Sequence, residues 1–346
     1  MSRVRVVATR MPALRALRGK PLAPGIAERL AAALPEDRIE LIVEPSEEAR
    51  LEAIGEAEFY CCENERVSPQ LLKRAKRLRL IQAGGVFLER LGTERAAAAG
   101  IPVVRFPMPI TESVADHAMA LLLGLVRNMP EASRRAREGG EAPPSPTRPD
   151  GSAYNWTHLR GVRPLRGMRL GILGLGDIGR AFALRAKAFG METRYWNRTP
   201  LPAWINRRLG ARAAGREEVL RTADVLFLGV LLGPETRGMI GEAEIAALPE
   251  GAILLNIGRG PLVDQKALLR ALEEGRLGGA GLDVFEPEPL PTDHPLLKLP
   301  NVIPTPHVAG GDDDTLVSEI ETFFGNIHRV LAGKRPRGIV NGVKWR

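Results

Sequence analysis

A chain of 346 residues with 44% hydrophobic and 26% charged side chains has the makeup of a soluble globular protein, and its length points to two domains. Its longest strongly apolar run, residues 118–126, is too short for a bilayer, and the N-terminal RVRVVAT reads as a strand with no signal-peptide core behind it, so no membrane association and a cytoplasmic location are expected. The net charge of +8 is carried mostly by scattered arginines, and aromatics are only 5%, which argues against nucleic acid and for a basic surface suited to anionic metabolites.

Residues 1–105 alternate strands and helices. Strands are predicted at VRVVAT (4–9), IELIVE (39–44), EFYCC (58–62), LRLIQAG (78–84) and IPVVR (101–105). Helices fall between them over GIAERLAAAL (25–34), a short stretch before EFYCC, PQLLKRAK (69–76) and TERAAAAG (93–100). Alternation at this spacing makes a parallel, doubly wound sheet. Cys61 and Cys62 are the only cysteines; sequence neighbours cannot staple a fold or complete a zinc cluster, so they read as small buried hydrophobes. A long helix follows from about Thr111, with Thr111 or Ser113 as N-cap and VADHAMALLLGLVR as its apolar stripe. Residues 139–168, with GGEAPPSPTRPDG, break any helix and read as a functional arm or a mobile loop. A second strand–helix series runs from Arg169 to about Pro306, and one amphipathic helix spans Thr315 to about Leu331.

The second series opens with GILGLGDIG (171–179): an apolar run, then Gly174, Gly176 and Gly179 in G-x-G-x-x-G spacing, then the helical RAFALRAKAFG. Strand, glycine turn and helix in this order are the context a dinucleotide fingerprint needs. The first glycine makes the tight turn, the second lets backbone approach a pyrophosphate, and the third lets helix pack on strand. The helix start, at Asp177 and Ile178, then offers its amides to the phosphates. An NAD-binding chain usually ends the next strand in an acid that accepts from the ribose 2′-OH. Asn197, Arg198 and Thr199 stand there instead. With no acid to repel it and Arg198 to pair with it, a 2′-phosphate is favoured, so NADPH is the expected cofactor and NADH the alternative.

Three polar residues lie just beyond later apolar strands. Arg259 follows GAILLNIG, Glu288 follows GLDVF, and His307 follows NVIPTP. In an open parallel sheet, strand carboxyl ends meet at one crevice, so the three can converge. An Arg fork binds a carboxylate and polarises the adjacent carbonyl, a His supplies the proton needed after hydride arrives, and a carboxylate beside that His favours the imidazolium. Taken singly, each has an ordinary reading as a solvated or structural group; the set downstream of a glycine fingerprint is what points to hydride chemistry. His117 and His294 read as structural, and no metal-ligand spacing is present, so no metal is expected.

NIGRGPLVD, GLDVFEPEPL and TPHVAGG, in this order after GLGDIG, with TESVADHAMALLLGLVR and PETRGMI, give a chain that resembles the D-isomer-specific 2-hydroxyacid dehydrogenase family from about residue 80 onward. The resemblance implies a catalytic set of Arg259, Glu288 and His307. Glu288 rather than Glu286 matches, because the family's acid lies five residues after the Asp of its LDVF motif, here Asp283. Asp283 is then the candidate for orienting the nicotinamide carboxamide, and Leu231, Thr236, Ile257, Gly258 and Gly310 complete the expected cofactor contacts. Backbone amides of Ala83, Gly84 and Gly85 are expected to meet the substrate carboxylate, alongside Arg259.

The implied fold is α/β, a Rossmann cofactor domain inserted into a flavodoxin-like substrate domain. Residues 1–108 and 307–346 would form the substrate domain around a dinucleotide-binding domain at 109–306, with homodimerisation through a helix and arm at 110–165. The expected function is NAD(P)-dependent interconversion of a small 2-keto acid and its 2-hydroxy acid, as with glyoxylate or hydroxypyruvate. A short phosphoglycerate dehydrogenase is the alternative within the family; about fifteen residues follow the last helix, too few for an appended regulatory domain. The alternative from another class is a non-catalytic, nucleotide-sensing corepressor.

Overall fold

The computed structural model describes residues 4–8, 39–43, 46–63, 67–84, 92–106, 110–139, 155, 157–199, 201–311 and 313–345. The helix expected over 25–34 lies outside the described residues, as do residues 140–154 of the expected arm. The chain forms two compact units, Met1–Ile110 with Gly311–Arg346, and Thr111–Gly310. The boundaries expected from sequence were 108/109 and 306/307; the contacts place His307 within the second unit.

In the first unit, β1 (Val4–Ala8), β2 (Ile39–Val43), β3 (Phe59–Glu63), β4 (Leu80–Gly84) and β5 (Val103–Phe106) make a parallel sheet in the order β2-β1-β3-β4-β5. That order is flavodoxin-like, reversing between β1 and β3. Successive strand residues face opposite sides, and each side has its own core. Val7, Tyr60, Cys62 and Ile81 pack with Leu71 and Ala96 of the short crossover helices Pro69–Arg74 and Thr93–Ala98. Val6, Ala8, Phe59, Cys61, Leu80 and Val104 pack on the other side beneath the helix Asp313–Leu331, through Val317, Ile320, Phe323, Phe324, Ile327 and Val330. The two cysteines therefore point to opposite faces, and burial pushes the Cys61 thiol well up. After its last helix the chain pairs along β5: Arg105 N donates to Gly338 O at 3.1 Å, and Val340 N donates to Val103 O at 2.9 Å.

The second unit carries β6 (Arg169–Leu173), β7 (Glu192–Trp196), β8 (Ala211–Ala213), β9 (Val225–Leu228), β10 (Ala252–Asn256), β11 (Leu277–Leu282) and β12 (Val302–Pro304). They form a parallel sheet in the order β12-β11-β10-β9-β6-β7-β8. VLFL in β9 and AILLN in β10 are buried at every position, as strands covered on both faces require. Chain order reverses between β6 and β9, so the carboxyl ends there mark a switch point. The helix Ile110–Val126 begins beside the expected Thr111 and stops where Asn128 turns left-handed at φ 48°, before a second helix, Met129–Glu138. That second helix buries no residue; Glu131 accepts from both Arg134 and Arg135, and the two guanidinium groups hold its carboxyl down at about 2. Among the described residues no helix is long and apolar enough to cross a membrane.

Candidate functional site

The glycine turn follows β6 at the switch point. Gly174 N donates to Trp196 O at 2.9 Å and Gly229 N to Leu173 O at 2.7 Å, so the turn is wedged between the ends of β7 and β9. Gly174 has φ 93°, and a Cβ there would lie 2.6 Å from Gly229, so both steric room and backbone sign demand glycine. Gly179, in the first turn of the helix Asp177–Ala188, comes close to the Gly174 carbonyl. Gly176 is different: a Cβ there would meet no atom within 4 Å. The turn thus opens onto space beside a helix start that no side chain caps, which suits a pyrophosphate. Asp177 and Ile178 begin that helix and are half-buried. This part of the unit fits a dinucleotide on its own geometry.

The residues after β7 divide their work. Asn197 Oδ1 accepts from Leu175 N at 2.6 Å and so braces the glycine turn. Arg198 extends into solvent with its side chain 79% exposed, its guanidinium 3.9 Å from Glu235, which is 85% exposed. Thr199 is also exposed. Beyond β9, Thr236 closes a small turn: its hydroxyl donates to Leu231 O at 2.6 Å and accepts from Gly233 N at 2.8 Å. Leu231 is left exposed, whereas Ile257 is buried and Gly258 and Gly310 are half-buried.

Arg259, Glu288 and His307 follow β10, β11 and β12, three neighbouring strands paired in register at Asn256–Leu282 and Leu282–Pro304. The buried Asn256 shapes the first loop, accepting from Gly258 N at 3.1 Å and donating to Arg259 O at 3.0 Å. Gly260 then lies flat against Phe285, whose carbonyl a Cβ would overlap, which brings the Arg259 loop beside the loop of Glu288. The Arg259 side chain is exposed. Glu288 Oε2 accepts from Phe285 N at 3.2 Å, and Oε1 lies in short hydrogen-bonding contact with His307 Nδ1. Glu286 is turned elsewhere: Arg237 donates to it at 2.8 Å, and Gln265 holds its backbone on both sides. Glu288 is therefore the carboxylate beside the histidine.

Asp283, expected beside the nicotinamide, is wholly buried. Its carboxylate accepts from Thr305 Oγ1 at 2.6 Å, Val308 N at 3.0 Å and Ala309 N at 2.9 Å. His117 reaches the same group, its Nε2 lying 2.9 Å from Thr305 Oγ1. Sequence reasoning assigned no site role to Asn256, Thr305 or His117; a polar residue inside the apolar LLN run was the available signal for Asn256. Ala83 and Gly84 end β4 in the first unit, and Gly85 lies outside the described residues. Among the described residues no cluster of three or more His, Cys, Asp or Glu side chains could hold a metal ion.

Residues 119–309 match the model of the D-isomer specific 2-hydroxyacid dehydrogenase family, NAD binding domain. A glyoxylate reductase of Korarchaeum cryptofilum is 37% identical over 275 residues, covering 80% of each chain. A D-3-phosphoglycerate dehydrogenase of Methanocaldococcus jannaschii is 34% identical over 319 residues, 89% of this chain and 58% of that one. The crystal structure of the TT0316 protein from Thermus thermophilus superimposes with a TM-score of 0.64 at 35% identity, over 97% of this chain and 100% of that one.

Proposed function

The chain belongs to the D-isomer specific 2-hydroxyacid dehydrogenase family and is an NAD(P)-dependent oxidoreductase acting on a CH–OH group, and from that premise we propose that it reduces a small 2-keto acid of the glyoxylate or hydroxypyruvate kind at Arg259, Glu288 and His307. The contact between Glu288 and His307, beyond β11 and β12, with Arg259 beyond β10 on the other side of β11, is the observation that supports this reading.

Arg259 offers a planar fork of donors to the substrate carboxylate and polarises the neighbouring carbonyl oxygen. His307 presents Nδ1 to Glu288, which leaves Nε2 as the atom that hands a proton to that oxygen. Glu288 stabilises the imidazolium and fixes the plane of the ring. The nicotinamide, when bound, supplies the hydride; the amides beyond Gly176 are assigned to its pyrophosphate. NADPH is assigned as the preferred form, because Arg198 stands where an acid would repel a 2′-phosphate. A homodimer formed through residues 110–165 and a cytoplasmic location belong to the same reading.

The similarity to a phosphoglycerate dehydrogenase supports a second reading, in which the keto acid carries a phosphate. Assays of glyoxylate, hydroxypyruvate and phosphohydroxypyruvate with both cofactors separate the two. His307→Ala is expected to lower kcat on the best of these acids by roughly 10²–10⁴-fold. Near-full activity in that variant would sink the proton-donor role. Cofactor binding by the unaltered protein with no turnover of any keto acid would favour a nucleotide sensor.

A further inference from the structure

His307 adopts φ 56°, the left-handed region, where a non-glycine residue is strained. Such strain persists only where the surroundings over-determine it. Here they do so through one buried carboxylate. Asp283 receives donors from both sides of His307: the Thr305 hydroxyl before it, and the Val308 and Ala309 amides after it. The segment is also tied to the sheet, since Thr305 N donates to Leu282 O at 2.8 Å and Asp283 N donates to Asn256 O at 3.0 Å.

Hydrogen counting extends the chain of contacts. The Thr305 hydroxyl has one proton, which goes to Asp283, so towards His117 it can only accept. His117 therefore carries a proton on Nε2 and donates it to Thr305. This links the helix Ile110–Val126 to the turn that bears the catalytic histidine. His117 Nε2 also lies 3.6 Å from Asp283 Oδ1, close enough to add to the hold on that carboxylate.

We propose that Asp283, Thr305 and His117 form a clasp that sets the backbone of His307, and that all three are positioning residues. The wholly buried Asp283 carboxylate is where the two halves of the clasp meet. The clasp rests on the reading of His307 as proton donor.

The test uses the full-length protein and the best keto acid of the panel. Thr305→Val removes the hydroxyl at nearly the same shape, and Thr305→Ser keeps it. A displacement of about 1 Å at the histidine predicts a kcat loss of roughly 10–100-fold in Thr305→Val. The KM for the keto acid and the Kd for NADPH, from fluorescence titration, should stay within about twofold, because the interaction lost acts only on the transition state. Thr305→Ser should recover most of kcat. Asp283→Asn places an amide donor where a backbone N–H already points, so its kcat should fall as in Thr305→Val. Wild-type kcat in Thr305→Val, equal impairment in Thr305→Ser, or wild-type kcat in Asp283→Asn overturns the clasp.

Should Thr305→Val fail to fold by circular dichroism, His117 gives a second measurement. His117→Gln keeps a donor within reach of Thr305 and His117→Leu does not, so the Gln form should be roughly five- to tenfold faster; equal rates overturn the clasp. His307→Ala, run alongside, separates the two levels. An active His307→Ala enzyme removes the proton-donor reading, whereas an inactive one beside a fully active Thr305→Val removes the clasp alone.

Discussion

In the proposed reading, Arg198 carries the choice of cofactor on a single side chain. Its contact with Glu235 joins two groups that are 79% and 85% exposed, and an ion pair so open to water contributes little. A 2′-phosphate brings a denser charge and more acceptor oxygens than Glu235 offers, so it should displace the carboxylate. Asn197 Oδ1 is already engaged by Leu175 N, so the discrimination is assigned to Arg198 in that reading. Arg198→Ala is expected to lower the ratio of kcat/KM for NADPH over NADH by roughly tenfold or more. Glu235→Gln should move the ratio the other way, by less. Steady-state kinetics with both cofactors decide the matter, and an unchanged ratio in Arg198→Ala would falsify the role given to that residue. The departure at 197–199 was legible in the sequence, but the exposure of Arg198 was not, because it depends on how the 231–236 turn packs nearby.

Between elements, a three-bonded tie in the second sheet joins β6 to the turn before β9. Arg169 donates to Asp224 through Nη2 at 2.6 Å, Nε at 3.0 Å and its backbone N at 2.8 Å. Partial burial works against the Asp224 carboxylate, but the hydrogen bonds from Arg169 outweigh it and hold the carboxyl below its ordinary value. A carboxyl lowered in the folded state binds its proton more readily when unfolded. Its contribution is therefore present above the unfolded value of about 3.9 and is lost as pH falls through the lower folded value. Asp224→Asn should cost about 1 kcal/mol near pH 7, a figure kept small because the Arg169 side chain is 41% exposed. Urea denaturation of both proteins should show that difference shrinking below about pH 4. A gap that stays constant into acid would show that the pair acts by shape and not by charge.

Over the whole molecule, the first unit depends on both ends of the described chain. Val317, Ile320, Phe323, Phe324, Ile327 and Val330 form the lid over Phe59, Leu80 and Val104. Deleting residues 311–346 would leave that side of the five-stranded sheet open as one apolar patch. Such a chain is expected to lose the first unit to aggregation and proteolysis. Residues 111–310 have their own core around β9, β10 and β11 and should keep the fold and nucleotide binding of the second unit. Limited proteolysis of the truncated chain checks this: a protected fragment near residues 111–310 is expected, and equal protection of residues 1–110 would refute it.

Most described elements, and the residues proposed to carry the chemistry, were legible along the chain. The apolar run in VRVVA, the glycine turn at 174–179 and polar groups just past apolar strands all follow from sterics and solvation among chain neighbours. Parallel sheets in doubly wound order follow from the same alternation. Tertiary structure alone decided which groups touch. The family's spacing points to Glu288 over Glu286, but only the structure shows Arg237 and Gln265 drawing Glu286 away while Glu288 meets His307. Asp283, Thr305 and His117 join around a left-handed His307 although 117 and 305 are far apart in the chain. A buried carboxylate takes whatever donors packing brings within about 3 Å, and no local pattern encodes that distance.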